Sequence, residues 1–312
     1  MDSIRDFLIG IVAFIYSLFP LGNTQLQVPF SQAPTPTPVN AVQQSLREAF
    51  HFPTINSIKI NATPYLTLPF RKADLQRPYE ISEGWVYSAD EIKIHQGNPI
   101  HLGVDFALPY GTPVVAPADG YAMSSYQSFR IKDSWNNIRT YQGKQLNVGF
   151  GYFVSIYNPE ADRFVDLTHL SDVDPQIPFS PPFKTEDGWA PTNHNEDPEK
   201  FMKNPYVAFI KKGTVIGKVG YSGLTWGYEE YKEGAKRPVV LDNNTNKSWD
   251  EPHIHFAEFF RDPKTHEINY LRDPYDIYDV FTSYPTLNRK TTVGPNPLFF
   301  LNNEGLPKYA DE

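Results

Sequence analysis

The 312-residue chain contains no cysteine. That excludes disulfides, thiolate metal sites and a lipid anchor attached through an acylated thiol, so any metal must sit on His, Asp or Glu. It fits a bacterial exported protein that needs no redox help, without fixing a compartment. A cationic excess is also missing. Lys and Arg number 28 against 36 Asp and Glu, for a formal net charge of −8 and a pI near 5.5. This argues against a nucleic-acid partner and against adhesion to any anionic polymer by bulk charge. Long apolar runs are scarce as well. The one that stands out, residues 7–21, would span roughly 22 Å as a helix at about 1.5 Å per residue, short of the ~30 Å hydrocarbon core of a bilayer.

What is present points to a β-rich chain. Aromatics make up 15% of residues, with 29 Pro and 19 Gly, a balance that favours many short strands and turns over a helical bundle. The length allows one large or two small domains and a sizeable core. Three readings compete for 7–21: an export signal that is cleaved or kept as an anchor (segment 1–22), a buried helix, or a misplaced start site. The length suits a signal h-region, but Asp2 and Asp6 beside Arg5 make an unusual n-region, and no clear cleavage site follows Leu21 and Gly22. Residues 23–40 read as an extended linker in which Pro34, Pro36 and Pro38 alternate with Thr. Residues 41–80 form an N-terminal embellishment. A short helix from Asn40 would set Val42, Leu46 and Phe50 on one face and end at Pro53. Strands are expected at 57–61 and 65–68. Asn61-Ala62-Thr63 is a glycosylation sequon, meaningful only in a eukaryotic secretory host. The domain proper is expected over 81–285, and the tail 286–312 carries no assigned role.

The chemistry gathers in two places. His101-Leu102-Gly103-Val104-Asp105-Phe106 offers a histidine and a carboxylate four residues apart. On an extended strand that is roughly 13 Å at about 3.3 Å per residue, too far to share an ion. The backbone must therefore bend between them, and Gly103 permits it. Val104 to Ala107 then read as a strand entering the core. Far downstream, His253 and His255 in His253-Ile254-His255-Phe256 lie two apart, which on a strand places both on one face. Histidine and carboxylate donors suit Zn²⁺. By spacing alone, His253 could be a ligand together with His255.

The HxxxD block followed by HxH resembles the lysostaphin-type zinc endopeptidases, the M23 family, which cut peptides of the bacterial cell wall. The flanks agree in order: Gly103 to Ala107 and Pro113-Val114-Val115-Ala116-Pro117-Ala118-Asp119-Gly120; the strand-like Gly149-Phe150-Gly151-Tyr152-Phe153-Val154-Ser155-Ile156; Thr168-His169-Leu170; and a glycine-punctuated hairpin from Lys212 to Gly223. The resemblance covers about residues 81–280. It implies a mainly β fold, a curved antiparallel sheet with the metal on its concave face and long loop insertions walling a groove. It implies that His101, Asp105 and His255 bind Zn²⁺, three protein ligands leaving a fourth position for water, as in catalytic sites. One carboxylate and two neutral imidazoles would leave net charge near +1, enough for the ion to lower the pKa of its water toward ~7 and polarise a scissile carbonyl. His169 and His253 are implied to be unligated partners that orient or deprotonate the water and stabilise the tetrahedral intermediate, work that suits a group with pKa near operating pH.

The function so implied is zinc-dependent hydrolysis of peptide bonds in peptidoglycan stem or cross-bridge peptides, by an exported protein that is extracellular, periplasmic or anchored facing the wall through residues 7–21. A monomer is expected. The alternative is a catalytically silent M23-like module that regulates another wall hydrolase, and a second is another zinc amidase or carboxypeptidase of the wall. His51, His194 and His266 read as structural or surface groups, and His95 is weighed for a substrate role. Tyr87, Tyr152 and Trp226 are candidate groove residues. Three segments exceed the family's usual loop lengths, 124–147, 171–207 and 224–251, and the last is expected to gate the groove. Arg272-Asp273-Pro274-Tyr275 resembles a turn seen late in the family.

Overall fold

The computed structural model describes residues 63–83, 101, 103–132, 136–141, 143–192, 197–225, 231, 251–261, 268–269, 298–304 and 306–312. All of them fall in the compact unit Gln43–Glu312. The apolar run 7–21, the Pro/Thr linker, the helix expected after Asn40, the strand at 57–61, Tyr87, His95, Trp226 and the Arg272 turn lie outside them. Among the described residues no helix is long and apolar enough to cross a membrane.

The fold is mainly antiparallel β. The strands in chain order are β1 Glu80–Glu83, β2 Val104–Ala107, β3 Pro113–Val115, β4 Gly120–Arg130, β5 Thr140–Tyr141, β6 Lys144–Gln145, β7 Asn147–Asn158, β8 Arg163–Val173, β9 Phe183–Lys184, β10 Gly188–Ala190, β11 Ala208–Ile210, β12 Val215–Val219, β13 His253–Arg261 and β14 Ile268–Asn269. Among the described residues one short α-helix, α1, spans Pro198–Lys203, with Asp197 as N-cap accepting from the Glu199 amide. The main sheet runs β1-β2-β13-β8-β7-β4-β10-β9, with β11 on β4 and β12 on both β3 and β8. The segment 212–223, expected as a hairpin, does not fold on itself. β12 joins β3 and β8, while the preceding β11 joins β4.

Cross-strand partners share a face of a sheet, so the register shows what lies on each side. Val104 pairs with Phe256, which pairs with Leu167, which pairs with Val154. All four are buried in the main core. The opposite face carries Asp105 opposite His255, then Ala257 opposite Asp166 and Phe259 opposite Phe164. The site face is therefore polar at the β2 end and aromatic farther along. There Phe164 stacks on Phe259 with centroids 5.0 Å apart and meets Phe201 of α1 edge-on at 5.1 Å.

Two of the three long segments are built into the sheet. The segment 124–147 continues β4 to Arg130 and adds the small β5–β6 ribbon. The segment 171–207 supplies β9, β10 and α1. It covers the outer edge of β4, through β10 at Ser128 and Phe129 and through a bridge from Phe179 to Ser124, which protects an otherwise open strand edge. Of 224–251, Leu224, Thr225, Tyr231 and Glu251 are described. Tyr231 is buried against Tyr126, Phe179 and Trp189, with centroids 5.0–6.0 Å away.

Residues 65–72 and the tail 298–312 pack onto the same core. At 65–68 there is a single bridge, Leu66 with Phe299, instead of a strand. Leu66, Phe70, Leu298 and Phe299 are all buried, and Phe70, Tyr79, Phe106 and Tyr309 form an aromatic cluster with centroids 5.2–6.0 Å apart. Asp311 receives the amides of Lys72 and Ala73 at 2.8 and 3.1 Å.

Tyr65 also reaches Glu258, donating its hydroxyl to Oε1 at 2.9 Å, with Arg163 Nη1 at 3.6 Å from the same oxygen. Burial pushes the Glu258 carboxyl up to about 7, against the pull of Arg163 and the Tyr65 hydrogen bond. A carboxyl raised on folding keeps its proton in the native state where the unfolded chain has lost it. Stability should therefore fall as pH rises from about 4.5 to 7 and level off above. Glu258→Gln should remove that fall, which urea midpoints taken across pH 5–8 would detect.

Candidate metal centre

His101, Asp105 and His255 converge, as the spacing requires. His101 precedes β2, Asp105 lies within it, and His255 pairs with Asp105 across the β2–β13 ladder. The bend at Gly103 has a second purpose. A Cβ there would lie 2.6 Å from Cε1 and Nε2 of His255 and 2.7 Å from the Phe256 carbonyl oxygen. Only glycine lets the His255 ring lie against this backbone. Gly103→Ala should displace the ring and lower metal occupancy severalfold while β2 still pairs with β13. Metal content of the purified variant checks this, and full occupancy would show that the ring can shift without cost.

The three residues set their donors in a tight triangle, with both Asp105 oxygens at the carboxylate corner. His255 Nδ1 lies 2.9 Å from His101 Nε2 and 3.0 Å from Asp105 Oδ1, and His101 Nε2 lies 3.2 Å from Asp105 Oδ2. Donors around a tetrahedral zinc with bonds of ~2.0–2.2 Å stand about 3.3 Å apart, so the triangle has nearly the edge length such an ion needs. Among the described residues these three form the His/Asp/Glu group able to hold a metal. Asp105 and His255 are buried and His101 partly so. Burial alone would raise the Asp105 carboxyl, but His101 and His253, with hydrogen bonds from His101 and His255, hold it well below the usual carboxylate range. Burial and the neighbouring His101 lower His255. The set is thus an anionic carboxylate with a neutral His255 imidazole, a donor chemistry that fits a divalent cation.

His169 and His253 stand beside the triangle. Their rings are 4.8 Å apart, and His169 lies 6.0 Å from the His255 ring. His169 reaches this face through a β-bulge. Tyr152 opposes Leu170 and Val154 opposes Leu167, so β8 spends one residue more than β7 over this stretch. In a regular strand His169 would share the core face with Leu167, two residues away. The extra residue, with His169 at φ +61°, turns it to the site and returns Leu170 to the core. At this point β8 also changes partner, from β13 at 164–167 to β12 at 170–173. The site lies at the fork where β12 and β13 part, with the His253 amide bonded to the Gly220 carbonyl at 3.1 Å.

Both of these histidines are anchored through Nδ1. His169 Nδ1–H donates to the Ser222 carbonyl at 2.9 Å, and His253 Nδ1–H donates to the Glu251 carbonyl at 2.7 Å. A carbonyl can only accept, so Nδ1 carries a proton, and in the neutral ring Nε2 then carries the lone pair. His253 Nε2 is 3.6 Å from Asp105 Oδ2. Burial, then His253 and His255, hold His169 well below the usual imidazole range, so it is neutral at neutral pH.

The structure corrects one candidate. Tyr152 is not a groove residue: it is buried in the main core, its ring 4.8 Å from that of Tyr126. Sequence reasoning assigned no role to the Ser222 and Glu251 carbonyls. The Tyr221-Ser222-Gly223 stretch was a signal for the first, and the position two residues before His253 for the second.

No family model matches the chain, and no curated protein matches it. Among solved structures it is similar to the catalytic domain of lysostaphin from Staphylococcus simulans, at 18% identity and a TM-score of 0.30, covering 64% of this chain and 92% of that one. It is similar to the prophage-encoded M23 protein EnpA of Enterococcus faecalis, at 16% identity and a TM-score of 0.29, over 63% and 92% of the two chains. A third similar structure is LytM of Ruminococcus gnavus, at 15% identity and a TM-score of 0.33, over 80% and 74%. These overlays are loose, and the resemblance to M23 peptidases rests on the motif residues that meet at the fork of β12 and β13.

Proposed function

We propose that the protein is a zinc-dependent endopeptidase that hydrolyses peptide bonds in peptidoglycan stem or cross-bridge peptides, working outside the cytoplasmic membrane. The observation that carries this reading is the pairing of a three-donor triangle with two more histidines whose lone-pair nitrogens are set by backbone carbonyls. A purely structural metal site has no use for the extra pair. His101, Asp105 and His255 would hold the ion. Bound there, zinc would supply a Lewis acid and a water of lowered pKa. His169 and His253 are the catalytic residues: each is held with Nε2 as a proton acceptor, and each can return that proton to the leaving amine. The neutral state of His169 keeps it ready to accept at neutral pH. The M23 resemblance supplies the substrate class.

The test is a digest. Full-length protein is incubated with purified peptidoglycan and Zn²⁺, and released fragments are identified by mass spectrometry. New ends within stem or cross-bridge peptides are expected. Release of whole stem peptides would make it an amidase, and stepwise loss of terminal residues a carboxypeptidase. An unaltered wall that retains bound protein would leave a binding module.

A further inference from the structure

Ser222 makes three hydrogen bonds around the β8 bulge. Its hydroxyl donates to the Leu170 carbonyl at 2.6 Å and accepts from the Tyr152 amide at 2.8 Å, and its own carbonyl accepts from His169 Nδ1–H at 2.9 Å. Tyr152 and Leu170 are cross-strand partners at the edge of the bulge. The hydroxyl therefore bridges β7 and β8 where their register slips. Ser222 itself is fully buried. Two glycines allow so close an approach. Gly151, at φ +61°, would place a Cβ 2.1–2.2 Å from Ser222 atoms, and Gly223, at φ +81°, would place one 2.2 Å from the Gly149 carbonyl oxygen.

We infer that Ser222 is the positioning residue for His169: its hydroxyl holds the bulge that turns the ring to the site, and its carbonyl selects the Nδ1–H tautomer. The inference deepens the proposed function, since it concerns the residue read there as a proton acceptor. The physical reason is that a neutral imidazole accepts a proton only through the nitrogen without hydrogen. If Nδ1 lost its carbonyl, the Nε2–H tautomer would compete and the ring would present a donor where an acceptor is needed. Without the hydroxyl, the Tyr152 amide and the Leu170 carbonyl would each lose a buried partner. They could recover it by closing on each other, which would undo the bulge and draw His169 away from the Ser222 carbonyl.

The experiment reads the tautomer directly. Full-length protein labelled with ¹⁵N-histidine is examined by long-range ¹H–¹⁵N correlation, and His169 is identified by the signals lost in His169→Gln. The parent should show His169 as a neutral Nδ1–H ring. In Ser222→Ala, the His169 signals should move to a tautomer-averaged or Nε2–H pattern, zinc content should stay at the parent level, and turnover on wall peptides should fall about tenfold or more with little change in KM. An unchanged Nδ1–H pattern in Ser222→Ala would overturn the inference. So would an Nε2–H ring in the parent, a measurement that stands even if the variant does not fold. The tautomer is read without substrate, which separates this inference from the hydrolase reading. A parent that leaves peptidoglycan intact, yet holds the Nδ1–H tautomer and loses it in Ser222→Ala, sinks the hydrolase and keeps the positioning role.

Discussion

His255→Ala should lose bound zinc and activity together, whereas His169→Ala should keep zinc near the parent level and lose turnover. The difference follows from where each nitrogen sits. His255 Nδ1 is one corner of the donor triangle, about 3 Å from both other corners. Removing it takes one of three protein bonds from the ion, and affinity falls with it. His101→Ala and Asp105→Ala should behave alike for the same reason. His169 instead has its Nδ1 committed to the Ser222 carbonyl. Its loss leaves the triangle whole and removes proton-transfer help typically worth about 10²–10⁴-fold, or roughly 3–5 kcal/mol of barrier. His253→Ala belongs with His169→Ala, since its ring is not part of the donor triangle. Elemental analysis after dialysis against trace chelator, paired with turnover on wall peptides, sorts the five variants. Should His253→Ala lose zinc as readily as His255→Ala, both rings of HxH are ligands.

The second large effect is expected at Gly151. In Gly151→Ala the new Cβ would fall 2.1–2.2 Å from the Ser222 Oγ, carbonyl carbon and carbonyl oxygen. Two of those atoms are backbone and cannot swing aside. The left-handed conformation alone costs an alanine about 1–2 kcal/mol, and the collision adds to it. Since whole domains are stable by only about 5–15 kcal/mol, Gly151→Ala should destabilise the protein by roughly 3 kcal/mol or more and abolish turnover as the Ser222–His169 contact opens. Gly111→Ala is the control. Gly111 is also left-handed, at φ +83°, but its Cβ would meet nothing within 4 Å, so only the conformational cost of about 1–2 kcal/mol is expected. Urea midpoints measure both. Equal losses at the two glycines would show that the clasp around Ser222 yields easily.

The legible parts of the fold were those where chemistry and period agree. The strand Val104 to Ala107 and the strand that begins at His253 carry apolar residues on one face and site residues on the other, and their motifs fix which is which. His169 was legible as a site residue only through the resemblance. Strand alternation puts it on the core face, and a bulge of one residue leaves no mark in the hydrophobic pattern. Tyr152 misled because β7 is buried on both faces from Gly151 onward, so alternation there says nothing about direction. Polarity hid the continuation of β4. Ser124 and Ser125 read as loop residues, yet both are buried, their hydroxyls donating to the Pro178 and Ser180 carbonyls at 2.9 and 2.8 Å. Those partners lie more than fifty residues on, within a segment that itself looked like a loop. The packing of Leu298 and Phe299 on Leu66 is more distant still, and nothing local announces it.

His101, Asp105 and His255 are expected to hold the metal, while His169 and His253 are not. Crystals of the zinc-loaded full-length protein, measured at the zinc absorption edge, test it most directly. One anomalous peak is expected within ~2.0–2.2 Å of His101 Nε2, an Asp105 carboxylate oxygen and His255 Nδ1, with the Nε2 atoms of His169 and His253 beyond bonding distance. A peak bonded to His253 or His169, or none among these residues, would contradict it.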